Sequence, residues 1–237
     1  MIITNLLTNI IVLTFLGGIP TNTPALKEYA FQVMLTNAQS LGMGWHLDQS
    51  LITSNQATLI SVRAHPRQLY ASIEFGDRYR FGTSKSGIII FADTGFGEGM
   101  MLAMAQPRIA SRYGGELKAR FQAANALTLE QAQEMAESAM RAYGATKDAL
   151  GFLQPKVKEQ LKSAGRPLAY YKFEWESERG RCKVDVSGLT TNIVRFEMEG
   201  PDQFRLKPPP NYLELLGLPK NTVFVKQIAP GTYELYK

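Results

Sequence analysis

Residues 170–198, YYKFEWESERGRCKVDVSGLTTNIVRFEM, alternate apolar and polar side chains in three successive runs separated by turns. Tyr171, Phe173 and Trp175 fall on one face of the first run, and Lys172, Glu174 and Glu176 on the other. Val184 and Val186 then flank Asp185, and Val194, Phe196 and Met198 alternate with Arg195 and Glu197. A period of two belongs to the extended chain. The stretch therefore predicts three antiparallel strands with one buried and one solvated face. A sheet that is apolar on one side needs a cover, and this need constrains the rest of the chain.

The same order occurs earlier. In LYASIEFGDRYRFGTSKSGIIIFAD, Leu69 to Asp93, an alternating strand with Tyr70, Ile73 and Phe75 meets a turn at Gly76-Asp77. A second strand with Tyr79 and Phe81 follows, then a turn over Ser84–Gly87 and the more apolar GIIIF. TLISVRA, residues 58–64, reads as a further strand that stops before Pro66.

Each meander has a helix to cover it. Thr128 and Gln131 have the spacing of a capping box. Leu129, Ala132, Met135, Ala136, Ala139, Met140 and Tyr143 then form one apolar face, and Gly144 ends the helix. Upstream, Thr23-Pro24 starts a helix that runs to about Leu41 with Leu26, Ala30, Met34, Leu35, Ala38 and Leu41 as its buried stripe. The expected fold is α+β, with two tandem helix-plus-antiparallel-sheet modules over residues 25–115 and 116–200. A Pro-rich strap over 201–237 follows, with a helical turn near Tyr212–Leu216 and a strand near Thr222–Gln227, packed on the second module. Residues 94–115 read as a short helix or a crossing segment, and the stretch through Pro155 and Gly165 as a loop.

Residues 1–24 read as a signal peptide. The apolar run Leu6–Leu16 is too short to span a bilayer but has the length of a signal-peptide core, and Thr23-Pro24-Ala25 offers small residues for cleavage. No Lys or Arg precedes that run, and a buried N-terminal strand or helix is the alternative. The expectation is an exported protein without stable membrane insertion.

Several chemistries are poorly supplied. Lys and Arg are spread along a chain of net charge +5, without the dense basic run of a nucleic-acid arm. Cys182 is the lone cysteine, which excludes an intramolecular disulfide, and its strand position suits a small buried hydrophobe. His46 and His65 are the only histidines, so neither a His/Cys metal site nor a Cys–His nucleophile is expected, and no cofactor is implied.

The residues that carry a family resemblance are the LTLEQAQEMAESAM helix, the aromatic strand YYKFEW, and CKVDVSGLTTNIVRF with its Val-Asp step at Asp185 and its turn glycine Gly188. Over residues 127–199 the chain resembles a PepSY domain; residues 25–93 match it only in order and pattern. The resemblance implies an exported, non-enzymatic module that engages a protein or peptide, with a secreted peptidase as one partner class. Two such modules could stand side by side or pack sheet to sheet.

The sharpest rival is Asp93-Thr94-Gly95, directly after GIIIFA. It resembles an aspartic-peptidase loop, in which a strand delivers a carboxylate. That chemistry takes two carboxylates sharing a proton, and the chain holds one such triplet, so activity would require a retroviral-type homodimer. Phe96 replaces the small residue usual after the triplet. Turn formation at a strand end explains the same residues. Gly95, Gly97 and Gly99 lack the spacing and following Lys of a phosphate loop. Glu174 and Glu176, paired with Lys172 and Arg181, read as a solvated charge stripe rather than a carboxylate dyad. Tyr70, Phe75, Tyr171, Phe173 and Trp175 alternate with charges as core aromatics do, rather than as a base-stacking platform. Trp45 and His46 follow a Gly-rich helix end, with no ligand assigned to them.

Overall fold

The computed structural model describes residues 12–14, 19–20, 24–41, 59–65, 68–75, 79–83, 87–92, 102, 106–111, 119, 127–145, 150–151, 154–189, 191–205, 209–216 and 218–235. In chain order the elements are β1 (Val12–Thr14), β2 (Ile19–Pro20), α1 (Pro24–Ser40), β3 (Leu59–His65), β4 (Gln68–Phe75), β5 (Tyr79–Thr83) and β6 (Gly87–Ala92). They continue as α2 (Pro107–Ala110), α3 (Leu129–Ala142), β7 (Val157–Ser163), β8 (Arg166–Ser177), β9 (Gly180–Ser187) and β10 (Asn192–Glu199). A 3₁₀ turn at Asp202–Phe204, α4 (Tyr212–Leu215), β11 (Val223–Ala229) and β12 (Thr232–Leu235) complete the described chain. The fold is α+β, and its sheets are antiparallel apart from the parallel pair β1–β11.

The two meanders join into one sheet of nine strands, in the order β2-β3-β4-β5-β6-β10-β9-β8-β7. The last strand of each meander meets the other antiparallel, with Phe196 opposite Ile90 and Glu199 opposite Gly87. Joining the strands there leaves no unpaired edge in the middle of the molecule.

Glycine makes the seam. A Cβ built on Gly87 would fall well inside 3.0 Å of the Met198 carbonyl oxygen, and 2.7 and 2.8 Å from the Met198 carbonyl carbon and Glu199 Cα. All three atoms are backbone, so none can swing away. Gly87 is the first residue of β6, as the strand GIIIF has it, at the end of the turn Ser84–Gly87.

The α3 helix forms as its pattern requires. Thr128 Oγ1 accepts from Gln131 N at 3.2 Å, and Gln131 Oε1 accepts from Thr128 N at 2.9 Å, which closes the capping box. At the other end Gly144 takes φ +73°, a left-handed conformation suited to glycine. The inward face presents Ala132, Ala136, Ala139 and Met140, with Leu129, Met135 and Tyr143 partly buried beside them. Small residues on the helix let it approach large ones on the sheet: Tyr171, Phe173, Trp175 and Phe196 are all buried. The Tyr143 ring lies 4.8 Å from Phe196, centroid to centroid, which fixes α3 on this face. Each such aromatic contributes about 1.5–3 kcal/mol through burial.

Leu26 and Ala30 of α1 and Leu41 just beyond its end are buried as the stripe predicts, and Phe31, outside the predicted stripe, is buried with them. Tyr143 Oη donates to Asn37 Oδ1 at 2.6 Å, tying the end of α3 to α1. Buried residues of α1, α3 and β7–β10 form one core cluster, into which Phe204 of the 3₁₀ turn also inserts.

One strand lies where the sequence placed a loop. β7 pairs with β8 through Ala164 and Gly165, at φ +48° and +77°. Two successive positive φ values are the signature of a type I′ hairpin turn. Alanine seldom occupies such a turn, which is why the hairpin signal is faint. Past Gln160 the β7–β8 register shifts, and the Gln160 side chain fills the gap, its Nε2 donating to Leu168 O at 2.9 Å and Tyr171 Oη at 3.1 Å.

The tail forms its helical turn and strand at the expected places. α4 lies against α1, and Tyr212 stacks on Phe224 at 5.9 Å. β11 pairs with β12 and, in parallel, with β1, so Val12–Thr14 of the apolar N-terminal run occupies a three-stranded sheet. Of residues 94–115, the described part contains the short helix α2.

Candidate functional site: a charged sheet face and a basic edge strand

The face of β8, β9 and β10 turned away from α3 is a lattice of charges fixed by register. Lys172 lies opposite Asp185, and Asp185 opposite Arg195. In the next row Glu174, Lys183 and Glu197 are neighbours, and in the third Glu176, Arg181 and Glu199. Opposite charges thus face each other across the strands, the favourable arrangement for cross-strand pairs. Lys183 Nζ lies 3.4 Å from Glu174 Oε1, and Arg181 Nη2 lies 3.2 Å from Glu199 Oε2. Arg195 grips Glu197 on its own strand, with Nε donating to Oε1 at 2.8 Å. The sequence set Glu174 and Glu176 among Lys172 and Arg181; the register adds Lys183 opposite Glu174 and places Lys172 against Asp185. Glu176 faces Arg181 as expected, and the Lys156 ammonium also donates to it.

At one end of this face the lattice runs under cover. Asp185 is 6% exposed and Ser187 is fully buried, beside the buried Tyr170. The Tyr170 hydroxyl donates to Asp185 Oδ2 at 3.2 Å, and Arg195 feels the charge of Asp185. A buried carboxylate needs such partners, because an unpaired one is costly. Burial works against the Arg195 charge, yet the Glu197 hydrogen bond and the charges of Glu197, Asp185 and Tyr170 raise its pKa overall. The Lys156 hydrogen bond and charge hold the Glu176 carboxyl below its usual range.

Asp93, Thr94 and Gly95 lie outside the described residues, as do Trp45, His46, Gly97 and Gly99. The strand that precedes Asp93 is present, as β6 ending at Ala92. His65 closes β3. Cys182 is fully buried between Trp175 and Met198 on the neighbouring strands, and burial, helped by Glu197, pushes its thiol pKa strongly up. A thiol so placed packs as an apolar group. Tyr171, Phe173 and Trp175 lie beneath α3 and are out of reach of a stacking base. Among the described residues, no group of three His, Cys, Asp or Glu side chains could hold a metal, and no helix is long and apolar enough to cross a membrane.

The edges of the large sheet are unequal. At one end β2 has two residues, one of them Pro20. At the other, β7 offers seven residues with no strand beyond it among the described residues. Val157, Lys158, Glu159 and Lys162 are exposed, and Val157 keeps 42% of its surface. Such an edge has backbone donors and acceptors pointing outward, and its lysines and irregular register resist indiscriminate pairing. The sequence reading missed β7 and with it the lysines of this edge; in VKEQL three polar residues separate Val157 from Leu161, so no apolar alternation marks the strand.

Comparison with known protein families, with curated proteins and with solved structures finds no significant match to the chain.

Proposed function

We propose that the chain is a non-enzymatic binding module, exported in the manner of the PepSY domains its second half resembles. It holds an extended segment of a protein or peptide against an edge of its large sheet. The observation that carries this reading is β7, a seven-residue edge strand with no neighbour beyond it among the described residues, on a sheet whose other end is a short, proline-bearing strand. An extended segment adds to such an edge through main-chain hydrogen bonds, with pockets for alternate side chains supplying selectivity. Support also comes from the outer face, where the carboxylates of β8–β10 face cations across or along the strands. A secreted peptidase restrained through an extended loop is one partner class that fits.

The test is peptide selection on the purified full chain from a displayed random library, with amide exchange read on the winners. The expected result is enrichment of extended sequences that slow exchange in β7, unchanged in Asp93→Asn. Cleavage of the library by the chain, lost in Asp93→Asn, would overturn the proposal in favour of the aspartic peptidase.

A further inference from the structure

The charges along β7 say which extended segments fit. Lys158 and Lys162 are exposed on the strand, Arg166 is exposed just across the hairpin, and Lys156 precedes the strand. Glu159 is the only acid among the residues of β7, and the register sets Lys172 opposite it. Lys156 is engaged with Glu176, and Glu130 at the start of α3 feels the charge of Lys158. Lys162 and Arg166 have no ion pair among the described residues. The edge is therefore net positive.

A second copy of the chain is a poor occupant. Antiparallel pairing of β7 with its own copy about Gln160 would set Lys158 opposite Lys162 twice, and like charges directly opposite destabilise a strand pair. The irregular register after Gln160 opposes a long self-pair as well.

We propose that the partner segment of β7 is acidic: an extended peptide that pairs with Val157–Gln160 and directs carboxylates at Lys158 and Lys162. An apolar side chain of that peptide covers Val157, the most exposed large apolar residue of this sheet edge. This inference rests on the edge-docking function proposed above and adds the chemistry of the partner. Charge complementarity would speed encounter and reject basic segments, and the attraction would weaken as salt rises.

The experiment uses the full chain and three labelled hexapeptides of alternating valine with glutamate, threonine or lysine, read by fluorescence anisotropy. A fourth probe is the glutamate peptide N-methylated at alternate residues, which keeps the charge but cannot pair as a strand. The expected order is glutamate tightest and lysine weakest. The Lys158→Glu/Lys162→Glu chain and the N-methylated probe should each lose about tenfold in affinity, a change of ~1.4 kcal/mol. The probe acts on the unaltered chain, so the result does not hang on the variant's folding. Equal binding of the N-methylated probe would reduce the effect to diffuse charge and overturn the proposal. Equal binding of the threonine peptide, with β7 amides protected, would leave edge docking standing and remove the acidic preference. Absence of binding by every probe, with no protection of β7, would remove both.

Discussion

Replacing Gly87 by alanine tests whether the two meanders share one sheet. The new Cβ would meet the Met198 carbonyl carbon at 2.7 Å and Glu199 Cα at 2.8 Å, with the carbonyl oxygen closer still. Ordinary contacts of a Cβ lie beyond 3.4 Å. Because all three neighbours belong to the β10 backbone, relief has to come from parting β6 and β10 where Gly87 faces Glu199 and Ile88 faces Met198. Losing about two ladder hydrogen bonds costs roughly 0.5–1.5 kcal/mol each. Residual overpacking adds about 1–3 kcal/mol. The expected destabilisation is therefore about 2–6 kcal/mol, or roughly 4–24 °C in Tm for a chain of this size.

Urea denaturation followed by far-UV circular dichroism would measure it, with Gly165→Ala as the control. Gly165 has φ +77° and a Cβ added there would meet nothing within 4 Å, so alanine costs about 1 kcal/mol through backbone conformation alone. The seam argument fails if Gly87→Ala costs no more than Gly165→Ala, because a close approach of β6 to β10 admits no such tolerance.

Trp175→Ala opens a cavity beneath α3 and should cost about 3–5 kcal/mol in the same denaturation assay. Thr128→Ala removes one half of the capping box and should cost about 1 kcal/mol, with the loss largely restored by Ser at the same position. Glu176 should titrate below the ordinary 4.5 of a glutamate because of the Lys156 hydrogen bond, and Lys156→Gln should bring it back toward that value, as read by NMR. Its folded-state pKa is depressed, so its stabilising contribution is present above the unfolded value and fades as pH falls through the folded one. Cys182 should react with a disulfide reagent at pH 8 only after denaturation, and fast reaction of the native chain would contradict its burial between β8 and β10.

Local patterns in the sequence were enough for the elements whose burial has a period. The face of α3, its capping box and the inward residues of β8–β10 all follow from spacing, because helix and sheet bury one another there. β7 was not legible for a local reason: Ala164 adopts the positive φ that turn residues such as asparagine normally announce. The seam was not legible for a non-local one. Nothing in GIIIFA or NIVRFEM names the other as its neighbour, since edge pairing rests on backbone groups common to every residue. Gly87 was the only clue, and in sequence it resembles one more turn glycine. Alternation put Lys172 on the charged face, whereas register alone decides that Asp185 lies opposite it.

That same register separates the two functional readings in space. β6, which leads to Asp93, lies at the centre of the sheet, and β7 at its edge, with β10, β9 and β8 between them. Four strand intervals at ~4.8 Å put the two strands about 19 Å apart. A hexapeptide strand along β7 runs parallel to β6, not toward it, and its side chains reach only the first and second strands inward. A segment held at β7 therefore cannot also present its backbone to a carboxylate carried at the end of β6 in the same chain. Peptide protection of β7 and cleavage dependent on Asp93 would be two events at two places, and Asp93→Asn should abolish the second while leaving the first untouched. If one bound hexapeptide both protected β7 and were cut in an Asp93-dependent way by a monomeric chain, the separation of β6 from β7 by β10, β9 and β8 would be contradicted.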